Sequence, residues 1–323
     1  MRPAASPLAV WAGILVLYVV WGSTYLGMKL AIETIPVFVM GFLRFVPAGV
    51  LLTAAIVLRE RGAIRMPALV EWRDTAIVAA MLLLGGTGMV AWGEQTVQTG
   101  IAALLIGLVP MWLAIFGRVL FGDRIQPLVV VGILVGLAGV AILAWPAGGV
   151  GQLDPGGLAA LLASPVFWSL GSLYAARRAV LPVPALFATG LEMVLGGVAC
   201  LVAAAVTGEL WAFQPAVVSS VSWTGVGYLV IVGSLVGYTT YAWLLTVAPL
   251  PRIATYAYVN PVVAVILGWL FLGEPLTPRT GVAAAVIVAA VALIVTARGR
   301  ADRARRAAPV AATDPMPEPA TVT

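Results

Sequence analysis

The chain has no histidine, one cysteine, one lysine and few charges of any kind: Asp, Glu, Lys and Arg together make up 10% of 323 residues. Each shortage closes off a chemistry. Without histidine, the usual zinc ligand sets and a Ser-His nucleophile pair are absent. A lone Cys200 inside an apolar run leaves neither a disulfide framework nor a thiolate metal site. No Gly-rich loop ends in Gly-Lys-Ser/Thr, so no ATP-binding P-loop is expected. No metal or cofactor is expected, and an intramembrane enzyme would have only Ser/Lys or carboxylate pairs to work with. The net charge of +5 does not point to nucleic acid, because the basic residues lie between apolar runs and in the C-terminal segment.

What is present is apolar. The hydrophobic fraction is 62%, against roughly 45–50% in a soluble domain, where charge is usually ~25%. A chain of this size cannot cover itself with so few polar groups, so it is expected to be an all-α integral membrane protein. A helix crossing the ~30 Å hydrocarbon core needs about 20 apolar residues. Segments of that length fall at 8–30, 36–58, 75–95, 101–121, 127–145, 157–176, 184–206, 222–246, 253–273 and 279–297, predicting ten transmembrane helices. The runs are continuous rather than alternating, which disfavours a β-barrel. The first is too long for a cleaved signal and is expected to be a retained span. Residues 298–323, Arg-rich and then Ala/Pro-rich, are expected to form a disordered cytoplasmic tail.

Lysine and arginine set the expected orientation. With the N-terminus in the cytoplasm, fifteen arginines fall inside: Arg2, Arg59, Arg61, Arg65, Arg73, Arg118, Arg124, Arg177, Arg178, Arg252, Arg298, Arg300, Arg303, Arg305 and Arg306. Lys29 and Arg279 fall at outer ends, and Arg44 lies within a span.

The chain also repeats itself, a feature to seek before any other. At an offset of 151 residues Trp92 falls on Trp243, Pro110 on Pro261, Gly117 on Gly268, Gly122 on Gly273, Asp123 on Glu274 and Pro127 on Pro278. Two halves follow, 1–150 and 151–297, with five helices each. An odd number per half forces the copies into the membrane in opposite directions, giving two inverted five-helix repeats. Such repeats are a mark of secondary transporters, whose halves alternate around a site near the midplane. A channel or a membrane scaffold can also be duplicated, and both stay open as alternatives.

These residues carry a resemblance. Trp21-Gly22-Ser23-Thr24, Ile35-Pro36 with Gly41-Phe42-Leu43-Arg44-Phe45 and Ala48-Gly49, Ala91-Trp92-Gly93-Glu94-Gln95, Gly100-Ile101-Ala102-Ala103-Leu104-Leu105 and Leu272-Gly273-Glu274-Pro275-Leu276-Thr277 stand in order over about 8–297. Together they resemble the EamA-domain carriers of the drug/metabolite transporter superfamily. Asp123 departs from a position where that family more often has Glu. The resemblance implies export or exchange of a small solute such as an amino acid or related metabolite. It also implies a cavity walled mainly by helices one, three, four, six, eight and nine. Partners are then the solute and the lipid bilayer, with protons an open choice of coupling ion; no residue pattern speaks to oligomeric state.

Charge inside a bilayer costs at least ~2.5–3.5 kcal/mol per residue, so each instance is a candidate functional group. Arg44 lies eight residues past Pro36 and Glu192 eight past Pro184, at matching positions of opposite charge about 12 Å from their helix starts. Either they meet a substrate's charged groups or they neutralise each other as a buried pair. Glu94 reads most simply as a solvated carboxylate at a helix end, with an outer-gate or proton-accepting role as the alternative. Lys29 and Glu33 read as an i,i+4 interfacial pair. Trp21, Tyr25, Trp92, Tyr241, Trp243 and Tyr258 are candidate cavity walls able to stack a ring or hold a cation. Asn260, before a helix-interrupting Pro261, is a candidate polar wall, and Pro110 and Pro261 are candidate paired kinks.

Overall fold

The computed structural model describes residues 6–60, 63–144, 154–248, 253 and 255–307. Ten apolar helices follow one another: α1 Pro7–Ala31, α2 Val37–Arg59, α3 Leu69–Gly93, α4 Thr99–Phe121, α5 Pro127–Ala144, α6 Pro155–Arg177, α7 Ala185–Val206, α8 over 220–247, α9 Tyr256–Leu272 and α10 Pro278–Ala307. No strand occurs among the described residues. Each of the ten expected segments is helical; among the described residues eight are long and apolar enough to cross a membrane, and α5 and α9 carry shorter apolar stretches, Pro127–Ile142 and Val259–Leu272. Helix α3 begins at Leu69 rather than 75, and α10 runs to Ala307, ten residues past its expected end. Of the expected disordered tail, 298–323, residues 298–307 are instead helix continuing α10; the rest of it, and the expected join at 150–151, lie outside the described residues.

Local chemistry sets the helix starts. Ser6 Oγ accepts from Ala9 N (3.2 Å), Asp154 Oδ2 from Gly157 N (2.6 Å) and Ser219 Oγ from Ser222 N (3.1 Å). In the first two, Pro7 and Pro155 follow the cap, where a missing N–H costs nothing.

The repeat is legible at the ends of α4 and α9. Gly122 (φ 70°) and Gly273 (φ 65°) terminate these helices in the left-handed region that favours glycine. The next residue's N–H then returns to the helix: Asp123 N to Gly117 O (3.1 Å), and Glu274 N to Gly268 O (3.2 Å). In both copies the carboxylate folds over the matched glycine; a Cβ on Gly117 would meet Asp123 Oδ2 at 2.8 Å, and one on Gly268 would collide with the Glu274 carboxyl. The matched glycines therefore make room for the matched acids.

Inversion shows in where the two turns sit. Asp123 follows the C-terminal end of α4, whereas Glu274 reaches the opposite end of that helix, accepting from Thr99 N (2.6 Å) and Gly100 N (3.2 Å). The side on which Glu274 lies also joins Thr34 with Ser222, Glu209 with Phe38 N, Thr96 with Asp154, and Arg279 with Ile142 O. On the other side Asp123 pairs with Arg177 (2.7 Å), and buried Asp74 accepts from Tyr174 Oη and Val180 N.

The equivalent acids thus do unequal work. Glu274 caps two backbone donors at a helix N-terminus, whereas the Asp123–Arg177 pair is about 40% exposed on each side chain (41% and 42%). Glu274→Ala should cost about 1–2 kcal/mol, and Asp123→Ala about 0.2–1 kcal/mol. Thermal unfolding of the two purified variants side by side checks this order.

The halves meet through their equivalent helices. Helix α2 packs most extensively on α7, and α5 on α10. At the first crossing the backbones nearly touch: a Cβ on Gly49 would lie 2.6 Å from Gly190 O and 2.7 Å from Val194 N. Small residues permit such approaches in membranes, where packing replaces the hydrophobic effect between helices.

Candidate functional site

Two wide, π-helical turns interrupt otherwise α-helical spans, at Ala80–Gly88 in α3 and Leu229–Val236 in α8. They occupy equivalent places in the two halves, and such turns occur frequently at functional sites. The α8 turn carries Gly233 and Ser234 toward α2. Ser234 Oγ accepts from Arg44 Nε at 3.2 Å. A Cβ on Gly233 would lie 3.4 Å from Arg44 Nη2, so this residue borders the guanidinium at contact distance. Arg44 is 5% exposed, its cation stands 4.8 Å from the Phe45 ring centroid, and Nη1 has no hydrogen-bond partner.

Sequence position alone left open whether Arg44 and Glu192 neutralise each other. No ion pair within 4.0 Å joins them. Tyr238 on α8 instead lies within electrostatic reach of both. Glu192 is half-buried and has no hydrogen-bonding partner among the described residues.

Tyr238 leads into a cluster of rings. Trp21 on α1 contacts Tyr238 edge-on (5.9 Å between centroids), Tyr241 at a tilt (5.2 Å) and Tyr256 edge-on (4.9 Å), and Tyr241 meets Tyr256 at 6.3 Å. The edges and faces these rings present suit an aromatic or cationic group. Gly237 is needed here, because a Cβ on it would meet Trp21 Nε1 at 2.5 Å.

Other predicted positions serve elsewhere. Asn260 is buried, and with its amide oriented to donate it reaches the carbonyls of Tyr18 (3.3 Å) and Tyr256 (3.2 Å), tying α9 to α1. Trp92 is half-exposed and edge-on to Phe38, apart from the Trp21 cluster. Its repeat partner Trp243 lies over Gly13 of α1. The Tyr258 side chain is outside the described residues. The paired kinks are unequal: α4 is broken at Gly107-Leu108 just before Pro110, whereas α9 runs unbroken through Pro261.

Two expectations are corrected at the other end of α1 and α3. Glu94 is not a solvated boundary carboxylate: it is 0% exposed, and neither oxygen has a partner. Neighbouring helix ends close over it, which its place at the end of an apolar run could not reveal. Lys29 does not pair with Glu33; its Nζ donates to the Glu94 backbone carbonyl. Tyr25 lies within electrostatic reach of Glu94. Lys29, Leu30, Ile32, Glu33, Gln95 and Leu272 line a cavity of about 440 Å³ beside this group.

The fold thus gathers Trp21, Tyr238, Tyr241 and Tyr256 into one ring cluster, sets Arg44 against Ser234 within electrostatic reach of Tyr238, and places Tyr25 within reach of both Tyr256 and Glu94. Ser234 was absent from the candidates although it is a lone hydroxyl in the run 229–236; that isolation was the available signal.

Comparison with known proteins agrees with this architecture. The EamA-like transporter family matches the chain twice, over residues 9–145 and 155–296. The uncharacterized inner membrane transporter YedA of Escherichia coli (strain K12) is 36% identical over 288 residues, covering 89% of this chain and 90% of that protein. A probable terminal-alkyne amino-acid exporter of Streptantibioticus cattleyicolor is 29% identical over 298 residues, covering 88% of this chain and 93% of that protein. A crystal structure with 23% identity covers 92% of this chain and 100% of its own at a TM-score of 0.60, a likeness of fold. Two matches to one family, each spanning five helices, leave one assignment: the chain is a multi-pass membrane protein belonging to the EamA-like transporter family.

Proposed function

We propose that the protein is a secondary transporter that exports or exchanges a small metabolite carrying an anionic group, such as an amino acid or related compound, by alternating access. The observation that carries this reading is Arg44: a buried guanidinium held from one side by Ser234 with Nη1 left unpartnered. A buried donor of this kind loses free energy until it is paired, and a carboxylate or phosphate supplies the partner. The rings of Trp21, Tyr241 and Tyr256 adjoin Arg44 through Tyr238 and suit the remainder of the solute. Glu192, across Tyr238, suits an amine.

The two halves, 1–150 and 151–297, are proposed to rock against each other about the α2–α7 crossing. The likeness to an inner membrane transporter supports a bacterial inner membrane location, and the arginine distribution supports both termini in the cytoplasm. Family membership supports a carrier rather than an enzyme, and the driving force is then an ion gradient or the solute's own.

A thermal-shift screen of the purified protein against amino acids, nucleobases, sugars and cationic drugs identifies the class. A bound solute at a hundred times its Kd stabilises by about 2.7 kcal/mol. Counterflow of a labelled L-amino-acid mixture in proteoliposomes then tests the mechanism. Saturable uptake stimulated by internal unlabelled solute is expected. A linear, unstimulated flux would indicate a channel, and no flux with any stabilising class would leave the scaffold reading.

A further inference from the structure

Glu94 differs from the buried acids Glu71 and Asp74, which are ion-paired, in that neither of its carboxyl oxygens has a partner. Its N–H is satisfied by Val90 O (2.9 Å) and its C=O by Lys29, so the backbone is accounted for while the carboxyl is not. Lys29, Tyr25 and Glu274 lie within electrostatic reach of the carboxyl. From α1 come Lys29, bound to the carbonyl, and Tyr25. From the α9–α10 turn comes Glu274, within electrostatic reach, its oxygens occupied by Thr99 N and Gly100 N. Asp154 at the start of α6 is held by Thr96 Oγ1 and Gly157 N, and Glu209 by Phe38 N. Glu33 stands on the cavity wall. Thr99 Oγ1 is a second buried oxygen with no partner.

This shell cannot hold a carboxylate anion comfortably. An ionised carboxyl without hydrogen bonds carries a large desolvation penalty, which the nearby Lys29 charge offsets only in part and to which the second acid, Glu274, adds. A neutral carboxyl fits, so closing the site requires a proton. Access is at hand, because Lys29 and Gln95, which flank Glu94 in space and in sequence, both line the 440 Å³ cavity.

Resting on the carrier reading above, we propose that Glu94 is the binding site of a coupling proton, making the protein a proton-coupled exchanger. In the closed arrangement the carboxyl is protonated. When the end of α3 opens toward the cavity the O–H bond breaks and the proton passes to water. Lys29 then leaves the Glu94 carbonyl and neutralises the carboxylate. Glu192 is not equivalent: it is only half-buried and lies within electrostatic reach of Tyr238.

The test uses the full-length protein in liposomes and needs no identified solute. Infrared spectra recorded across about pH 5 to 9 should contain a protonated-carboxyl band at neutral pH that Glu94→Gln removes. Lys29→Met, which deletes the counter-ion, should move the titration of that band to higher pH. A Glu94→Gln spectrum identical to wild type, or a band unmoved in Lys29→Met, overturns the proposal. In a second arm, an imposed pH gradient should drive accumulation of the labelled L-amino-acid mixture, about tenfold per pH unit for one proton per solute, and Glu94→Gln should show no response to the gradient. Wild-type counterflow that ignores the gradient overturns proton coupling and leaves the carrier reading standing. Absence of counterflow overturns the amino-acid reading instead, and the infrared arm alone then decides whether Glu94 binds the proton.

Discussion

Arg44→Ala is expected to abolish solute flux while leaving a folded, inserted protein. Truncating one partner of a buried, hydrogen-bonded charge contact costs about 2–5 kcal/mol, a loss of roughly 30-fold to several thousand-fold in affinity. Arg44→Lys should recover only part of it, because an ammonium lacks the planar fork that can hold Ser234 and a carboxylate together. The same substitutions separate function from structure. Arg44 is 5% exposed and has an unpartnered Nη1, so the solute-free protein carries an incompletely compensated buried charge. Replacement by an apolar side chain of similar length, Arg44→Met, should therefore leave thermal stability unchanged or raised. A structural arginine would show the reverse, with stability lost and flux falling in proportion to folded protein. Normal counterflow in Arg44→Ala, measured on protein of verified monodispersity, removes Arg44 from the site.

The second large effect concerns the joint between the halves. Gly49→Val is expected to prevent assembly of the α2–α7 crossing. Overpacking a filled core usually costs about 1–3 kcal/mol because neighbouring side chains can yield. Here the opposing atoms are Gly190 O and Val194 N at 2.6 and 2.7 Å from the added Cβ, and backbone cannot turn aside. Gly41→Ala meets only Cys200, its Sγ at 2.8 Å, and should be milder. Gly227→Ala and Gly281→Ala meet nothing within 4 Å and should be neutral or slightly stabilising. The yield of monodisperse protein and its unfolding temperature rank the four. Wild-type yield from Gly49→Val would show that the halves do not meet here as described.

These expectations differ in how far they could be read before folding. That Arg44 matters follows from the insertion cost of a charge in an apolar run, a local property of the sequence. That Gly49 matters more than Gly41 does not, since both are glycines on the same helix, and only the chain opposite distinguishes them.

Taken alone, the sequence determined the elements and their topology. Apolar runs of about 20 residues set ten helices, proline and capping side chains set their starts, and the 151-residue offset with five helices per half required inversion. These are properties of short stretches or of their order, so tertiary contacts could adjust the edges, as at Leu69 and Ala307, without altering the plan. Tertiary structure decided the partners. It placed Ser234 rather than Glu192 against Arg44, gave Glu274 a helix end to cap where Asp123 found an arginine, and turned Lys29 from Glu33 to the Glu94 carbonyl. It also buried the Glu94 carboxyl, which its place at the end of an apolar run does not disclose. The physical reason is common to the first three. A polar group in a bundle must be satisfied by whatever another helix brings within about 3 Å, and that pairing depends on crossing angles and wide turns set by the whole bundle.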